Sequence, residues 1–180
     1  MASGAADATA APPRTRYLLI GVALLVIVAL DQLTKTWVVR ALADGPVVVV
    51  DEWLEFHLAK NSGSAFGRFQ NFTPVLATLA IVVAVLLFRM ARKETDRVML
   101  IGLVLILGGA LGNLSDRIFR APGFMRGHVI DFVAVGPWPL FNVADSCVTI
   151  GAIVLIVRTL WPPKPAEPAD PAEPVQPASP

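Results

Sequence analysis

The sequence contains little charge and almost none of the residues that build disulfides and metal cages. Only 16% of its 180 residues are charged, 55% are hydrophobic, and the mean hydropathy is +0.64. A chain with so little polar surface cannot cover a soluble globule of its size, so we expect an integral membrane protein. The single cysteine, Cys147, excludes an internal disulfide and a multi-cysteine metal site.

Histidine is nearly as scarce, and a strong net charge is absent. His57 and His128 are far apart and lack the H-E-x-x-H spacing of a helical zinc protease, so we expect no metal and no other cofactor. The formal net charge is +1, and the basic residues form no single long cluster. Nucleic-acid binding, which requires a basic footprint, is therefore not expected.

Long apolar runs are what the chain does contain. Four segments are long enough to cross about 30 Å of hydrocarbon as helices that rise about 1.5 Å per residue. They span about residues 17–39, 72–88, 98–114 and 139–157. We assign them to one membrane domain, residues 14–161, with outer loops at about 40–71 and 115–138.

The first apolar segment has a feature of a secretory signal, because Arg14 and Arg16 precede it. No A-x-A-like cleavage site follows at the expected place. The pattern continues instead from Asp31 to Val39, which is typical of an uncleaved first helix with its polar groups turned inward.

Basic residues indicate the orientation. They are densest before helix 1, between helices 2 and 3 and after helix 4, so both termini are expected in the cytoplasm. The tails, residues 1–13 and 162–180, are rich in Ala or Pro and are expected to be disordered. In the first outer loop, Leu54, Phe56 and Leu58 alternate with other residues, which predicts a strand of a small extracytoplasmic sheet.

Two Asn/Asp pairs carry the candidate chemistry. Asn113 precedes Asp116, and Asn142 precedes Asp145, by three residues in each case. A carboxylate at bilayer depth costs about 2.5–3.5 kcal/mol on insertion scales, so each Asp is a functional candidate. Residues three apart share a helix face, and each amide can therefore orient its carboxylate.

The two carboxylates can meet if helices 3 and 4 are neighbours. Both would lie near the outer boundary of the bilayer, with Asp145 a turn or more below the start of its helix. Close carboxylates in a poorly solvated place share one proton. One can then take a proton from water while its protonated partner polarises a peptide carbonyl, which is the chemistry of an aspartic protease.

Other interpretations stay open on spacing alone. Asn and Asp can form hydrogen bonds between helices that only stabilise the packing. Carboxylates can also relay protons in a small carrier, although a carrier should show internal repeats and a polar path to the inner face, where helices 2 to 4 have almost no polar residues. A Ser/Lys dyad has no ordered spacing in its favour. Its candidate members are Ser62, Ser64, Ser115, Lys35 and Lys60.

Three further features each allow a structural or a functional interpretation. Asp31 and Lys35 are one helical turn apart, as in an ion pair that offsets two buried charges or as in a pair that supports the site. Gly108 and Gly112 form a G-x-x-x-G pattern that favours close helix packing. Arg117 can anchor the helix end at the membrane interface or reach a substrate.

Five stretches in order resemble the bacterial lipoprotein signal peptidases, also called signal peptidase II. They are Asp31-Gln32-Leu33-Thr34-Lys35, Asn61-Ser62-Gly63-Ser64-Ala65-Phe66, Gly112-Asn113-Leu114-Ser115-Asp116-Arg117, Gly127-His128-Val129-Ile130-Asp131-Phe132 and Phe141-Asn142-Val143-Ala144-Asp145. Each stretch alone is weak, but five on a four-helix hydropathy profile are specific. The resemblance covers about residues 17–160, and Ser64 stands where the family more often has Ala.

The resemblance implies an all-α polytopic membrane protein with four transmembrane helices, a small extracytoplasmic sheet and a mobile flanking helix. It makes Asp116 and Asp145 the catalytic dyad of an aspartyl endopeptidase that uses an activated water. The residues that it implies for shaping the site or binding substrate are Asp31, Lys35, Asn61, Gly63, Asn113, Arg117, Asp131, Asn142 and Ala144.

The resemblance also implies the partners and the location. The family removes the signal peptide of a prolipoprotein by cutting just before a cysteine that carries diacylglyceryl. The expected partners are such prolipoproteins and membrane lipid, with no nucleic acid, and the expected state is a monomer. The expected location is the bacterial cytoplasmic (inner) membrane, with the active site near the outer face.

Overall fold

The computed structural model describes residues 14–51, 53–63 and 73–162. These residues contain four helices that are long and apolar enough to cross a membrane. The helices are α1 (Arg14–Ala41), α2 (Thr73–Lys93), α3 (Arg97–Phe119) and α4 (Val143–Leu160). The polytopic four-helix fold is thereby confirmed. The predicted disordered tails lie outside the described residues, apart from Pro162.

Helix α3 is the centre of the bundle. In an apolar stretch of 18 residues in α3, 44% of the residues are buried. The corresponding share is 11% in α1, 17% in α2 and 11% in α4. Helix α3 packs most extensively on α4 and also on α1 and α2, whereas α2 has at most slight contact with α1 or α4. Helix α2 is therefore attached to the bundle mainly through α3.

Glycines in α3 allow this close packing. A Cβ on Gly109 would lie 2.3 Å from the carbonyl oxygen of Ala144 on α4, and a Cβ on Gly108 would lie 2.8 Å from the side chain of Ile27 on α1. A larger residue at either position would force two helices apart. The packing role predicted for the G-x-x-x-G pattern is confirmed at Gly108.

Substituting Gly109 tests this packing. Gly109→Ala is expected to lower the melting temperature in detergent, since its Cβ would meet backbone, and an overpacked core loses about 1–3 kcal/mol. Gly21→Ala is the matched control, because nothing lies within 4 Å of a Cβ there. The control should be neutral or more stable by about 0.5–1 kcal/mol, as Ala is favoured over Gly inside a helix. Equal melting temperatures for the two variants would contradict this account of the interface.

The helix ends differ from the predicted bounds in ways that matter for the site. Helix α3 continues beyond about residue 114, so Asp116 and Arg117 lie on the helix and not in the following loop. Helix α4 begins later than predicted, with Asn142 as its N-cap and Asp145 in its first turn. The expected place of Asp145, a turn or more inside the helix, was wrong because the Asn142 side chain caps the helix and starts it there.

A three-stranded antiparallel sheet lies at the end of the bundle where α1 and α3 end. Its strands, in the order β1-β2-β3, are β1 (Val47–Val50), β2 (Leu54–Asn61) and β3 (Val129–Val135). The alternation predicted in the first loop corresponds to β2, whereas β3 was not predicted, because Gly and Pro breakers surround it. The described parts of both loops hold strands and turns but no helix, and residues 64–72 lie outside the described part.

The sheet is fixed to the end of α1 by a small apolar core. Ile130 and Phe132 of β3 pack with Val38 and Leu42, and all four side chains are buried. Successive side chains of a strand point to opposite faces. Asp131, between Ile130 and Phe132, is therefore directed away from this core.

Candidate active site

Lys35 is the centre of a buried ionic cluster between α1 and α3. Its Nζ lies 2.8 Å from Asp31 Oδ2 and 2.8 Å from Asp116 Oδ2, and all three side chains are fully buried. Arg120 Nε also donates to Asp116, so two cations balance two carboxylates. Pairing of this kind is what makes buried charge tolerable. The predicted ion pair of Asp31 and Lys35 is confirmed, and it extends to the next helix.

All acceptor positions of Asp116 are occupied. Its Oδ1 accepts from Gln32 Nε2 at 3.0 Å and from Arg120 Nε, and its Oδ2 accepts from Lys35 Nζ and, at 3.3 Å, from the backbone N–H of Ile130. A carboxylate offers about four lone-pair sites. No site is left for a water molecule or a substrate, so Asp116 has the contacts of a fixed structural anchor.

The first turn of α4 is attached to the same cluster. Asp31 Oδ1 accepts the backbone N–H of Ala144 at 3.0 Å, and Ala144 is fully buried. A Cβ on Gly112 would lie 2.7 Å from Asp31 Oδ2 and 3.2 Å from the Cβ of Ala144. Because Gly112 has no side chain, the Asp31 carboxylate can reach the start of α4. The helix dipole favours negative charge at that end of the helix.

A second group of polar side chains surrounds Asn142. Asn142 Nδ2 donates to Asp131 Oδ1 at 2.6 Å, and the Asn142 backbone N–H donates to Asp145 Oδ2 at 3.2 Å. The Asn142 Oδ1 accepts the backbone N–H of Asp145 at 3.0 Å, which completes a capping box. One fully buried residue therefore holds the carboxyl groups of Asp131 and Asp145 on either side of it.

Neutral amides supply the remaining partners of these two carboxyl groups. Asn61 Nδ2 donates to Asp131 Oδ2 at 2.9 Å, and Asn113 Nδ2 donates to Asp145 Oδ1 at 2.7 Å. Within the described residues, neither Asp131 nor Asp145 forms an ion pair. Each carboxyl group keeps about two open lone-pair sites. Both can therefore accept a hydrogen bond from water or exchange a proton.

Strand β3 carries Asp131 to this position. The backbone N–H groups of Phe132 and Val133 donate to the carbonyl oxygen of Phe141 at 3.1 and 2.9 Å, and the Phe141 N–H donates to Val133 O at 3.1 Å. Phe141 directly precedes Asn142. The backbone bridge thus aligns the strand with the cap of α4 and places Asp131 beside Asn142.

Asn113 connects the two groups. Its Oδ1 accepts from Lys35 Nζ at 2.9 Å and from Asn142 Nδ2 at 3.2 Å. Its Nδ2 donates to Asp145 Oδ1. The hydrogen-bond path from Asp116 to Asp145 therefore runs through Lys35 and Asn113. The structure brings Asp131 and Asp145 together around Asn142, and it places Asp116 in the neighbouring ionic cluster.

Arg117 lies beside Gly63. A Cβ on Gly63 would lie 3.2 Å from Arg117 Nη2, and the φ of Gly63 is +78°, a left-handed conformation that favours glycine. Asn61 Oδ1 accepts the Gly63 N–H at 2.7 Å, as in an Asx turn. Arg117 Nη1 is buried without a hydrogen-bond partner among the described residues. An unpaired buried donor is costly, so this atom is a candidate binder of a carbonyl oxygen.

Burial raises the pKa of the Asp131 carboxyl above its ordinary value. The hydrogen bond from Asn61 lowers the pKa, and the nearby charge of Asp145 raises it again. The net direction is upward. Asp131 therefore keeps its proton to a higher pH than an ordinary aspartate does.

Two residues of the network were missed by sequence reasoning. Gln32 Nε2 reaches Asp116 Oδ1, and its Oε1 accepts from Arg120 Nη2 at 3.3 Å. A signal for Arg120 was present, because it follows Asp116 by four residues, the same spacing that joins Asp31 to Lys35. Gln32 carried no such signal, because its role depends on how α1 packs against α3.

Four membrane-crossing helices with two carboxyl groups held among amides at one end define a polytopic membrane hydrolase of the aspartic type. The family model described as signal peptidase (SPase) II matches residues 23–161. The chain therefore belongs to the signal peptidase II family, whose members are proteases.

Curated relatives agree with this family. The lipoprotein signal peptidase of Mycobacterium avium (strain 104) is 47% identical over 151 residues, which cover 83% of this chain and 82% of that protein. The lipoprotein signal peptidase of Rhodococcus jostii (strain RHA1) is 45% identical over 155 residues, which cover 83% of this chain and 78% of that protein.

Solved structures agree with the fold. A bacterial membrane enzyme determined by the in meso method at 2.3 Å resolution has a TM-score of 0.64 at 26% identity, covering 79% of this chain and 87% of that chain. A second such structure, at 1.9 Å resolution, has a TM-score of 0.63 at 26% identity, covering 81% and 94%.

Proposed function

We propose that this protein is a membrane aspartyl endopeptidase that removes signal peptides from prolipoproteins by cutting just before the diacylglyceryl-modified cysteine. The observation that carries the proposal is the placement of Asp131 and Asp145 on either side of Asn142, each held by neutral donors and each with acceptor sites to spare. Two carboxyl groups in such surroundings can divide the roles of acid and base.

In this proposal Asp145 is the base and Asp131 the acid. Asp145 takes a proton from water as the water oxygen forms a bond to the scissile carbonyl carbon, and the protonated Asp131 donates its proton to the carbonyl oxygen. When the tetrahedral intermediate collapses, the C–N bond breaks, the leaving amine takes the proton from Asp145, and one hydroxyl of the intermediate returns a proton to Asp131 as the new carboxyl group forms. The raised pKa of Asp131 supports its assignment as the proton donor.

The assignment of Asp131 departs from the expectation that Asp116 pairs with Asp145. Asp116 is fully buried, and its donors include the two cations Lys35 and Arg120. A carboxylate held by two cations stays ionised and cannot donate a proton. We therefore assign to Asp116 the role of holding Lys35, and through Lys35 the orientation of Asn113.

We propose that Arg117 and Asn61 hold the substrate backbone. The unpaired Nη1 of Arg117 can donate to a peptide carbonyl, and Gly63 leaves room for the guanidinium. The surface of α3 between α2 and α4 is the path that we propose for an extended peptide, since α2 has at most slight contact with α4. Apolar helix faces along this path suit the aliphatic residues and the lipid of the substrate.

The distribution of basic residues supports a location in the bacterial cytoplasmic membrane with the site near the outer face. The end of the bundle opposite the site carries seven described basic residues. They are Arg14, Arg16, Arg89, Arg92, Lys93, Arg97 and Arg158. Loops with such density stay in the cytoplasm. We propose that the enzyme acts as a monomer, because one chain supplies every group of the site.

A cleavage assay with the purified protein in detergent tests this function. A prolipoprotein whose cysteine carries diacylglyceryl should be cut so that the modified cysteine becomes the new N-terminus, as read by mass spectrometry. The same prolipoprotein without lipid should be cut far more slowly, and a metal chelator should leave the rate unchanged. Cleavage at another bond, or equal cleavage of both substrates, would refute the proposed specificity.

The pH profile tests the acid role of Asp131. We expect kcat/KM to fall as the pH rises through the raised pKa of Asp131, because the protonated acid is then lost. Since the hydrogen bond from Asn61 lowers this pKa, Asn61→Ala should shift the alkaline limb to higher pH, whatever its effect on the maximal rate. An alkaline limb that stays in place in the variant would contradict this assignment.

A further inference from the structure

A cavity of about 570 Å³ lies at the end of the bundle opposite the active site, between the start of α1 and the turn that joins α2 to α3. Arg16 and Arg97 line its outer part, and Leu19, Ile20 and Leu100 line it one helical turn deeper. Charge is thus at the level of the helix ends, and apolar surface lies toward the middle of the bundle.

The two arginines have free donor capacity. Arg16 Nη2 donates to the carbonyl oxygen of Ala91 at 3.3 Å, but its Nε is buried without a partner among the described residues. Arg97 is exposed and forms no ion pair with any residue of the described ranges. An anion in the cavity would give both side chains a partner.

The acidic groups beside the cavity are already engaged. Asp96 caps α3 by accepting the N–H groups of Val98 and Met99, and the hydrogen bond from Arg158 lowers the pKa of Asp96 to about 2. Glu94 Oε1 accepts the N–H groups of Thr95 and Asp96 at 2.8 Å in both cases. Since two arginines and no acidic residue are among the residues that line the cavity, its lining is positively charged.

We propose that this cavity is a binding site for an anionic phospholipid. The phosphate would lie between Arg16 and Arg97, and an acyl chain would run along Leu19, Ile20 and Leu100. Basic pockets between transmembrane helices on the cytoplasmic side are suited to anionic headgroups. A soluble phosphate has no apolar group that could pack against Leu19, Ile20 and Leu100. The combination of charged and apolar surface therefore favours a lipid.

Lipid titration of the purified full-length protein in detergent tests the site. Phosphatidylglycerol should raise the melting temperature in a saturable manner, whereas phosphatidylcholine and glycerol 3-phosphate at equal concentrations should not. One basic residue near a membrane surface contributes about 1 kcal/mol to binding of anionic lipid. The variant Arg16→Gln/Arg97→Gln should therefore bind phosphatidylglycerol about 30-fold more weakly than the wild type.

The matched control is Arg14→Gln/Arg89→Gln, which removes the same charge from exposed positions that do not line the cavity. It should keep the wild-type response. If the double variant at the cavity does not fold, Arg97→Gln replaces it, because Arg97 is exposed and its substitution should leave the fold intact. Arg97→Gln alone should weaken phosphatidylglycerol binding about fivefold. Equal responses of cavity and control variants, an equal effect of phosphatidylcholine, or a full effect of glycerol 3-phosphate would each overturn the proposal.

Discussion

Asp131→Asn and Asp145→Asn are each expected to abolish cleavage of a lipidated prolipoprotein while the protein stays folded. An asparagine can neither take a proton from water nor donate one at an ordinary pH, and general acid or base catalysis by one group contributes about 10²–10⁴-fold. At each position the carboxamide oxygen can keep one of the two hydrogen bonds that Asn142, Asn61 or Asn113 donates to the native carboxyl group. The measurements are the initial rate of cleavage and the melting temperature of each variant.

Asp116→Asn is the decisive comparison, because sequence spacing predicts Asp116 as a member of the dyad. We expect its main effect on stability, since the variant leaves Lys35 with one fewer buried counterion, and breaking a buried pair costs about 3–5 kcal/mol. The fraction that remains folded should retain some cleavage. If folded Asp116→Asn is inactive and Asp131→Asn is active at the wild-type rate, the dyad is Asp116 and Asp145 after all.

Lys35→Gln is expected to cause a large loss of stability. Lys35 is fully buried and its ammonium bridges Asp31 and Asp116. Without it, two buried carboxylates remain, and among the described residues Arg120 is the cation that still forms an ion pair with one of them, Asp116. A loss of about 3–5 kcal/mol is expected for a broken buried pair, and the readout is the melting temperature in detergent or the yield of folded protein.

The double variant Asp31→Asn/Lys35→Gln separates charge from packing. It restores charge balance, with Arg120 opposite Asp116, so it should be more stable than Lys35→Gln alone. Residues in one ionic network show such non-additive effects of about 0.5–3 kcal/mol. Lys60→Gln is the surface control and should stay within about 0.5 kcal/mol of the wild type. A double variant less stable than Lys35→Gln would show that charge balance is not what Lys35 provides.

Much of the fold could be predicted because its signals are local. Each membrane helix is a continuous apolar run, and the Asp31–Lys35 pair and the G-x-x-x-G pattern depend on spacing within one helix. The end of α4 nearest the site was predicted less well, since Asn142 starts the helix through its side chain and the hydrophobic pattern does not mark that point. Strand β3 was missed because Gly and Pro breakers surround it and because its pairing partner, β2, is about 70–80 residues away in the sequence.

The amino-acid sequence by itself determined the membrane environment, the four helices and the family, because hydropathy and short motifs are properties of neighbouring residues. Only the tertiary structure decided the surroundings of each carboxyl group, on which the proposed dyad rests. Spacing favours Asp116 and Asp145, but the packing of α1 against α3 surrounds Asp116 with Lys35 and Arg120, and the bridge from β3 to Phe141 brings Asp131 to Asn142. The reactivity of a buried carboxyl group depends on its donors and their charge, and here these donors come from distant segments.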